Sequence, residues 1–225
     1  MFLEVNGLLQ PAEVKTLRTI TNEIAFIDGR ASNPANIAKQ NLQASHNPND
    51  DKYLESSRIV MAAFMRSAEF RAFALPKKMA PPVLARYRPG MKYGPHADAA
   101  VLHLPNGTQL RSDLSATVFL GDPAQYDGGE LIVHLGTKPV AFKGAPGDAI
   151  IYPSTTLHEV RPVTAGERLV SITFIESLIP DEFLRTQLFE LNDVAEREGH
   201  TMSWESRVRL DGVRQNLMRL WSESP

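Results

Sequence analysis

Apolar positions change their period twice along this chain of 225 residues. From Pro11 to Phe26 they recur at helical spacing, with Val14, Leu17, Ile20 or Thr21, and Ile24 on one face. Pro11 suits the first turn, where a missing amide hydrogen costs nothing. Tyr53 to Phe73 repeats that pattern, with Val60, Phe64 and Phe70 as candidate core contacts. Between the two, residues 27–51 are polar, rich in Asn, Ala and Gln, and carry no sustained period. They read as a long loop, either a lid or a solvated connection.

After Pro81-Pro82 the period shortens. Val83–Arg88, Ser115–Leu120, Glu130–His134, Ala149–Tyr152 and Arg168–Phe174 are short β-branched or aromatic runs. Pro89-Gly90, Gly121-Asp-Pro123, Asp127-Gly-Gly129 and residues 144–148 punctuate them, a density of turns that predicts a sandwich or jelly roll. From Pro180 the helical spacing returns. Leu184, Leu188 and Leu191 form one stripe, and Leu210, Val213, Leu217 and Leu220 form another, both read as packing faces rather than as a dimer seam. The expected organisation is therefore α+β. A β-rich core over 81–178 lies between a helical support with a substrate loop (1–80) and a helical extension (179–225).

Composition narrows the chemistry. Twenty-four Lys and Arg against 26 Asp and Glu leave a net charge of −2, so bulk charge calls for neither nucleic acid nor an anionic membrane. With no cysteine, disulfides, iron–sulfur clusters, thiolate zinc sites and cysteine nucleophiles are excluded together. The start, Met1-Phe-Leu-Glu-Val-Asn-Gly7, lacks the basic and apolar regions of a signal peptide. No run approaches the roughly 18 to 20 apolar residues that span a bilayer. A cytoplasmic protein is the expectation, with a homo-oligomer left open.

The candidate chemistry sits in the β-rich part. His96 and Asp98 lie two apart after a Gly-Pro turn, and alternate residues of an extended segment project to one face. With His158 they make two imidazoles and one carboxylate, the set that holds Fe(II) on one face and leaves the other open. Arg168, ten residues beyond His158, suits a bidentate grip on the distal carboxylate of 2-oxoglutarate. Antiparallel pairing of 148–152 with 168–174 would bring it beside the metal pocket. Taken singly, each of these residues also fits an ordinary surface or structural role. The set is what points to an oxygenase.

Tyr87 ends the strand leading to this turn, where its hydroxyl would either serve the co-substrate or cap a packed ring. Ser171 and Thr173 either bond the same carboxylate or are ordinary strand residues. His46, His103, His134 and His200 lack partners at ligand spacing and read as non-ligands. A nucleobase demethylase of this kind carries a second arginine six residues after the first, where this chain has Phe174. A cupin-like metal protein would need no Arg168, and a non-catalytic iron or 2-oxoglutarate sensor would keep every ligand. No Gly-x-Ser-x-Gly elbow, Walker loop or Gly-x-Gly-x-x-Gly turn is present.

Several stretches carry a resemblance: Arg86–Asp98, Arg111–Leu120, Tyr126–Leu131, Leu157–Val163, Leu188–Leu191 and Asn216–Trp221. Together they closely resemble the PKHD-type hydroxylases, relatives of the prolyl hydroxylases. The resemblance covers nearly the whole chain. It implies a double-stranded β-helix core, the cupin-like jelly roll, with Fe(II) on His96, Asp98 and His158 and 2-oxoglutarate on Arg168. It also implies ascorbate as reductant, and hydroxylation of a small-molecule or peptide substrate with dioxygen, releasing succinate and CO2. The family commonly has Asn after the metal-binding Asp, where this chain has Ala99. A peptide, an amino acid and a siderophore all remain open as substrate.

Overall fold

A computed structural model describes residues 1–33, 36–45, 47, 49–104 and 106–223. The N-terminal part runs β1 (Leu3–Val5), α1 (Pro11–Glu23), β2 (Phe26–Asp28), β3 (Lys39–Gln40), β4 (Leu42–Ala44), α2 (Asp51–Arg66), α3 (Ala68–Ala74) and β5 (Pro76–Met79). Six strands follow: β6 (Val83–Tyr87), β7 (Lys92–His96), β8 (Val101–His103), β9 (Gln109–Arg111), β10 (Leu114–Phe119) and β11 (Tyr126–Gly128). Then come β12 (Leu131–Leu135), β13 (Lys138–Phe142), β14 (Ala149–Pro153), β15 (His158–Val160), β16 (Val163–Gly166) and β17 (Arg168–Ser177). Helices α4 (Glu182–Glu198) and α5 (Trp204–Trp221) close the chain.

Two antiparallel sheets make the jelly roll. The larger has the order β1-β14-β10-β17-β6-β4-β2, with β5 on β17, and the smaller has the order β13-β12-β15-β7-β3. Alternation along the large sheet separates two cores. Leu84, Leu114, Ala116, Val118, Ile151, Leu169 and Ile175 point to α1, α2 and α3 and join Leu17, Ile20, Val60, Phe64 and Phe70. The intervening Ala85, Tyr87, Phe119, Ile150, Tyr152 and Val170 point to the small sheet and meet Leu131, Val133 and Val160. Each fully buried Leu, Ile or Phe contributes about 1.5–3 kcal/mol, so the helices hold the large sheet rigidly from behind. Its other face is free to carry a site.

Four expectations need correction. Residues 27–51 are not a structureless loop. β2 pairs β4, β4 pairs β6 and β3 pairs β7, so this polar segment extends both sheets. The segment Tyr53 to Phe73 is two helices. Ser67 ends α2 and caps α3, its hydroxyl accepting from the Phe70 amide at 3.1 Å. Strands 148–152 and 168–174 do not pair, because β10 lies between β14 and β17. Finally, α5 has no buried residue, and Val213 and Leu220 are 52% and 76% exposed, so the second stripe is only partly a packing face.

Candidate metal and co-substrate site

β15 and β7 run antiparallel with His158 opposite His96, which sets the two imidazoles side by side, ring centroids 4.2 Å apart. Asp98, just past β7, lies between them. Its Oδ1 is 3.7 Å from His96 Nε2 and its Oδ2 is 3.6 Å from His158 Nε2. One ligand atom from each residue falls within 4.8 Å of the others, spacing that suits a single ion. Both imidazoles are oriented from behind. Nδ1 of His96 donates to the Gly94 carbonyl at 2.8 Å and Nδ1 of His158 to the Thr156 carbonyl at 2.9 Å. Those bonds place the ring proton on Nδ1 and leave the Nε2 lone pair for a metal. Burial, and then the neighbouring His158, push His96 down to about 4, so it stands neutral as a ligand must.

Asp98 is held by a chain of hydroxyls. Ser115 Oγ on β10 lies 2.5 Å from Asp98 Oδ2, Ser154 Oγ lies 2.7 Å from Ser115 Oγ, and Ser112 Oγ donates to Ser154 Oγ at 2.7 Å. All three serines are buried. Each hydroxyl has one proton and an ionised carboxylate has none, so proton count fixes the direction. Ser112 donates to Ser154, Ser154 to Ser115 and Ser115 to Oδ2. That leaves Oδ1 as the free oxygen. The Asp98 amide also donates to the Ser154 carbonyl at 3.2 Å, which fixes the loop.

The large sheet supplies the other half. Arg168 opens β17 opposite Tyr87 of β6, its guanidinium carbon 4.9 Å from the Tyr87 ring centroid. Arg168 is 1% exposed, and among the described residues its Nε has no hydrogen-bond partner and its guanidinium pairs with no acid. Burying an arginine unmatched costs several kcal/mol, so the pocket suits an incoming carboxylate. Gly129 makes room for it, since a Cβ there would sit 3.1 Å from Arg168 Cδ. Tyr87 and Tyr152 are buried beside it, and burial raises the pKa of both, keeping them as neutral donors. Asn41 is buried on the same side, near enough to Tyr87 to hydrogen-bond its hydroxyl.

The structure brings His96, Asp98 and His158 together at β7 and β15, and sets Arg168 against Tyr87 across β17 and β6. Ser171 and Thr173 lie on the other face of β17. They alternate with Arg168 and Val170 on β17 and face the helices, where Thr173 Oγ1 donates to the Ala80 carbonyl at 2.6 Å. Arg111, at the end of β9, spends its charge on Asp113 and Glu223 at 2.8 and 2.6 Å. His103, His134 and His200 join no ligand cluster among the described residues, and His46 lies outside them. Sequence reasoning missed Lys39, Asn41, Tyr93 and the three serines. A polar residue inside a site carries no hydrophobic period to betray it.

The profile of the 2OG-Fe(II) oxygenase superfamily matches residues 82–176, the span that carries Tyr87, His96, Asp98, His158 and Arg168. A PKHD-type hydroxylase of Sphingopyxis alaskensis is 50% identical over 214 residues, 95% of this chain and 96% of the relative. This chain belongs to the PKHD-type hydroxylases. A second member, from Stenotrophomonas maltophilia, is 38% identical over 99% of this chain and all of its own length. Among solved structures, a Pseudomonas putida prolyl-4-hydroxylase covers 78% of this chain and 92% of its own, with TM-score 0.54 and 21% identity. A Trichoplax adhaerens prolyl hydroxylase in complex with a hypoxia inducible factor peptide fragment covers 77% of this chain and 82% of its own, at TM-score 0.57 and 14% identity. At these identities the two structures support the fold. Membership of the family makes this PKHD-type protein an Fe(II)- and 2-oxoglutarate-dependent hydroxylase. Among the described residues no helix is long and apolar enough to cross a membrane.

Proposed function

We propose that His96, Asp98 and His158 hold Fe(II), that Arg168 binds the distal carboxylate of 2-oxoglutarate with Tyr87 beside it, and that the enzyme hydroxylates an aliphatic C–H bond. When bound, the iron with 2-oxoglutarate and dioxygen supplies the oxidising power for that insertion, and the co-substrate leaves as succinate and CO2. The chain's own contribution is placement. His96 and His158 would present neutral Nε2 atoms to the ion, Asp98 would supply one negative charge between them, and Arg168 on β17 would supply the guanidinium for the co-substrate. The apolar walls of Val133, Val160 and Val170 help keep bulk water from the reacting atoms. The same reading takes ascorbate as the reductant, as the family suggests, and a cytoplasmic setting.

The observation that carries it is a His-Asp-His cluster together with a buried Arg168 guanidinium that pairs with no acid among the described residues. The test is the visible spectrum of anaerobic Fe(II)-loaded protein as 2-oxoglutarate is added. A charge-transfer band saturating at one equivalent is expected. Bound iron with no band would take Arg168 out of the co-substrate role and move the protein to a cupin-like metal reading.

A further inference from the structure

β3 brings to this cleft a charge that neither metal nor co-substrate uses. Lys39 is 6% exposed, pairs with Tyr93 across β3 and β7, and holds its ammonium 5.5 Å from the Tyr93 ring centroid. Tyr93 in turn stacks on His96, centroids 3.6 Å apart and planes within 15°. One aromatic ring therefore separates Lys39 from a metal ligand. Among the described residues the ammonium has one hydrogen bond, to Ser32 Oγ at 2.7 Å, for its three donors. Ser32 spends its own proton on the Gln43 Oε1 and Gly29 carbonyl, so it offers Lys39 a lone pair but no charge.

No carboxylate among the described residues lies within 4.0 Å of the Lys39 ammonium. The acids whose fields reach it are Asp98 and Asp28, and Asp28 is already engaged by the Arg30 side chain through three hydrogen bonds. A buried ammonium with no counter-ion costs several kcal/mol, which a fold retains most readily where the charge has a use.

Charge balance says what that use is. With the site loaded, 2-oxoglutarate cancels the two charges of Fe(II), and Asp98 cancels Arg168. The Tyr87 and Tyr152 hydroxyls and both ligand imidazoles are neutral. Lys39 remains as the unbalanced charge, and one negative group on the substrate would neutralise it.

We propose that Lys39 anchors a carboxylate of the prime substrate, making this hydroxylase specific for organic acids or for chains that present a free carboxylate to β3. The proposal rests on the oxygenase reading above. Tyr93 lies between the anchor and the metal ligand His96, so an acid held at Lys39 stays next to the metal site. A purely structural alternative is a cation–π clamp in which Lys39 only holds Tyr93 against His96.

Acetate and acetamide have one shape and differ in charge, which separates the two. With Co(II) in place of iron and 2-oxoglutarate saturating, the metal broadens the methyl resonance of any probe held near it. The wild-type protein should broaden acetate at least fivefold more than acetamide at equal concentration. That ratio should fall to about one in Lys39→Met and recover in Lys39→Arg, with Lys39→Gln as a replacement if Lys39→Met fails to fold. A ratio of one in the wild type, or an undiminished ratio in Lys39→Met, overturns the proposal. Failure of the oxygenase reading shows separately, as no broadening of the 2-oxoglutarate methylene protons. In that case the acetate ratio is read in an Arg168→Met background, which removes the second anion site.

Discussion

Replacing Ser115 with Ala should weaken metal binding although Ser115 is not a ligand. Its hydroxyl donates to Asp98 Oδ2 at 2.5 Å, and that proton is the last of the chain running from Ser112 through Ser154. The bond pins the carboxylate so that Oδ1 meets the ion, and successive donors polarise one another along the chain. A hydrogen bond to a charged group contributes about 1.5–3 kcal/mol net, equivalent to a loss of about 10- to 150-fold in affinity. The usual effect of removing a group behind a metal ligand, about 10- to 100-fold, falls in the same window. Competition between the protein and a chromophoric chelator for Zn(II) measures it directly, without substrate or turnover. Ser115→Thr keeps the hydroxyl and should remain within about threefold of wild type by the same energy scale. Zn(II) affinity in folded Ser115→Ala within twofold of wild type would show that Asp98 is positioned by its backbone alone, and the directional chain would lose its role.

Arg168→Ala should cost about 2–5 kcal/mol of 2-oxoglutarate affinity with little change in metal affinity, and Arg168→Lys should recover part of it, since a point charge cannot make the paired contact. Titration of the anaerobic charge-transfer band reads both, and unchanged affinity in Arg168→Ala moves the role elsewhere. Lys39→Met should stabilise the fold. Burial lowers Lys39 from 10.5 to about 8, a penalty of about 3 kcal/mol offset by about 1 from the lost hydrogen bond. The sign with pH follows: between about 8 and 10.5 the unfolded chain binds more protons than the native one, so wild-type stability rises with pH there. Urea midpoints should therefore favour Lys39→Met at pH 7 and converge by pH 10, and a less stable variant at pH 7 contradicts the unmatched-charge argument. Gly29→Ala places a Cβ 1.8 Å from Asn41 Oδ1, an overlap expected to cost about 1–3 kcal/mol and visible as a lower midpoint. Unchanged stability there would mean that Asn41 has a second comfortable rotamer.

What could be read from residue order alone divides along a physical line. β10, β14 and β17 were legible because they bury both faces and so carry unbroken apolar runs. β7 and β15 were not, although they hold the ligands. Lys92-Tyr-Gly-Pro-His96 and His158-Glu-Val160 are polar because one face serves an ion rather than a core, and a register shift between His158 and Val160 breaks their alternation. β3 and β4 were hidden for the same reason, with Lys39, Asn41 and Gln43 polar yet buried. The ligands themselves could be picked out because metal chemistry restricts residue type and spacing at once, whereas Ser112, Ser115 and Ser154 are restricted only by position in space. Strand parity alone decides between the two readings of Ser171 and Thr173, putting them opposite Arg168 as ordinary strand residues. The conditional pairing of 148–152 with 168–174 fails because a jelly roll alternates its strands between sheets and returns them beside non-sequential neighbours. Hydrophobic periodicity thus finds what is packed and misses what is poised. In this fold the polar residues that break the pattern, Lys39 and Asn41 above all, are buried, with Lys39 over the Tyr93 ring that stacks on His96. A substrate pocket should therefore be sought among buried residues that the period fails to explain.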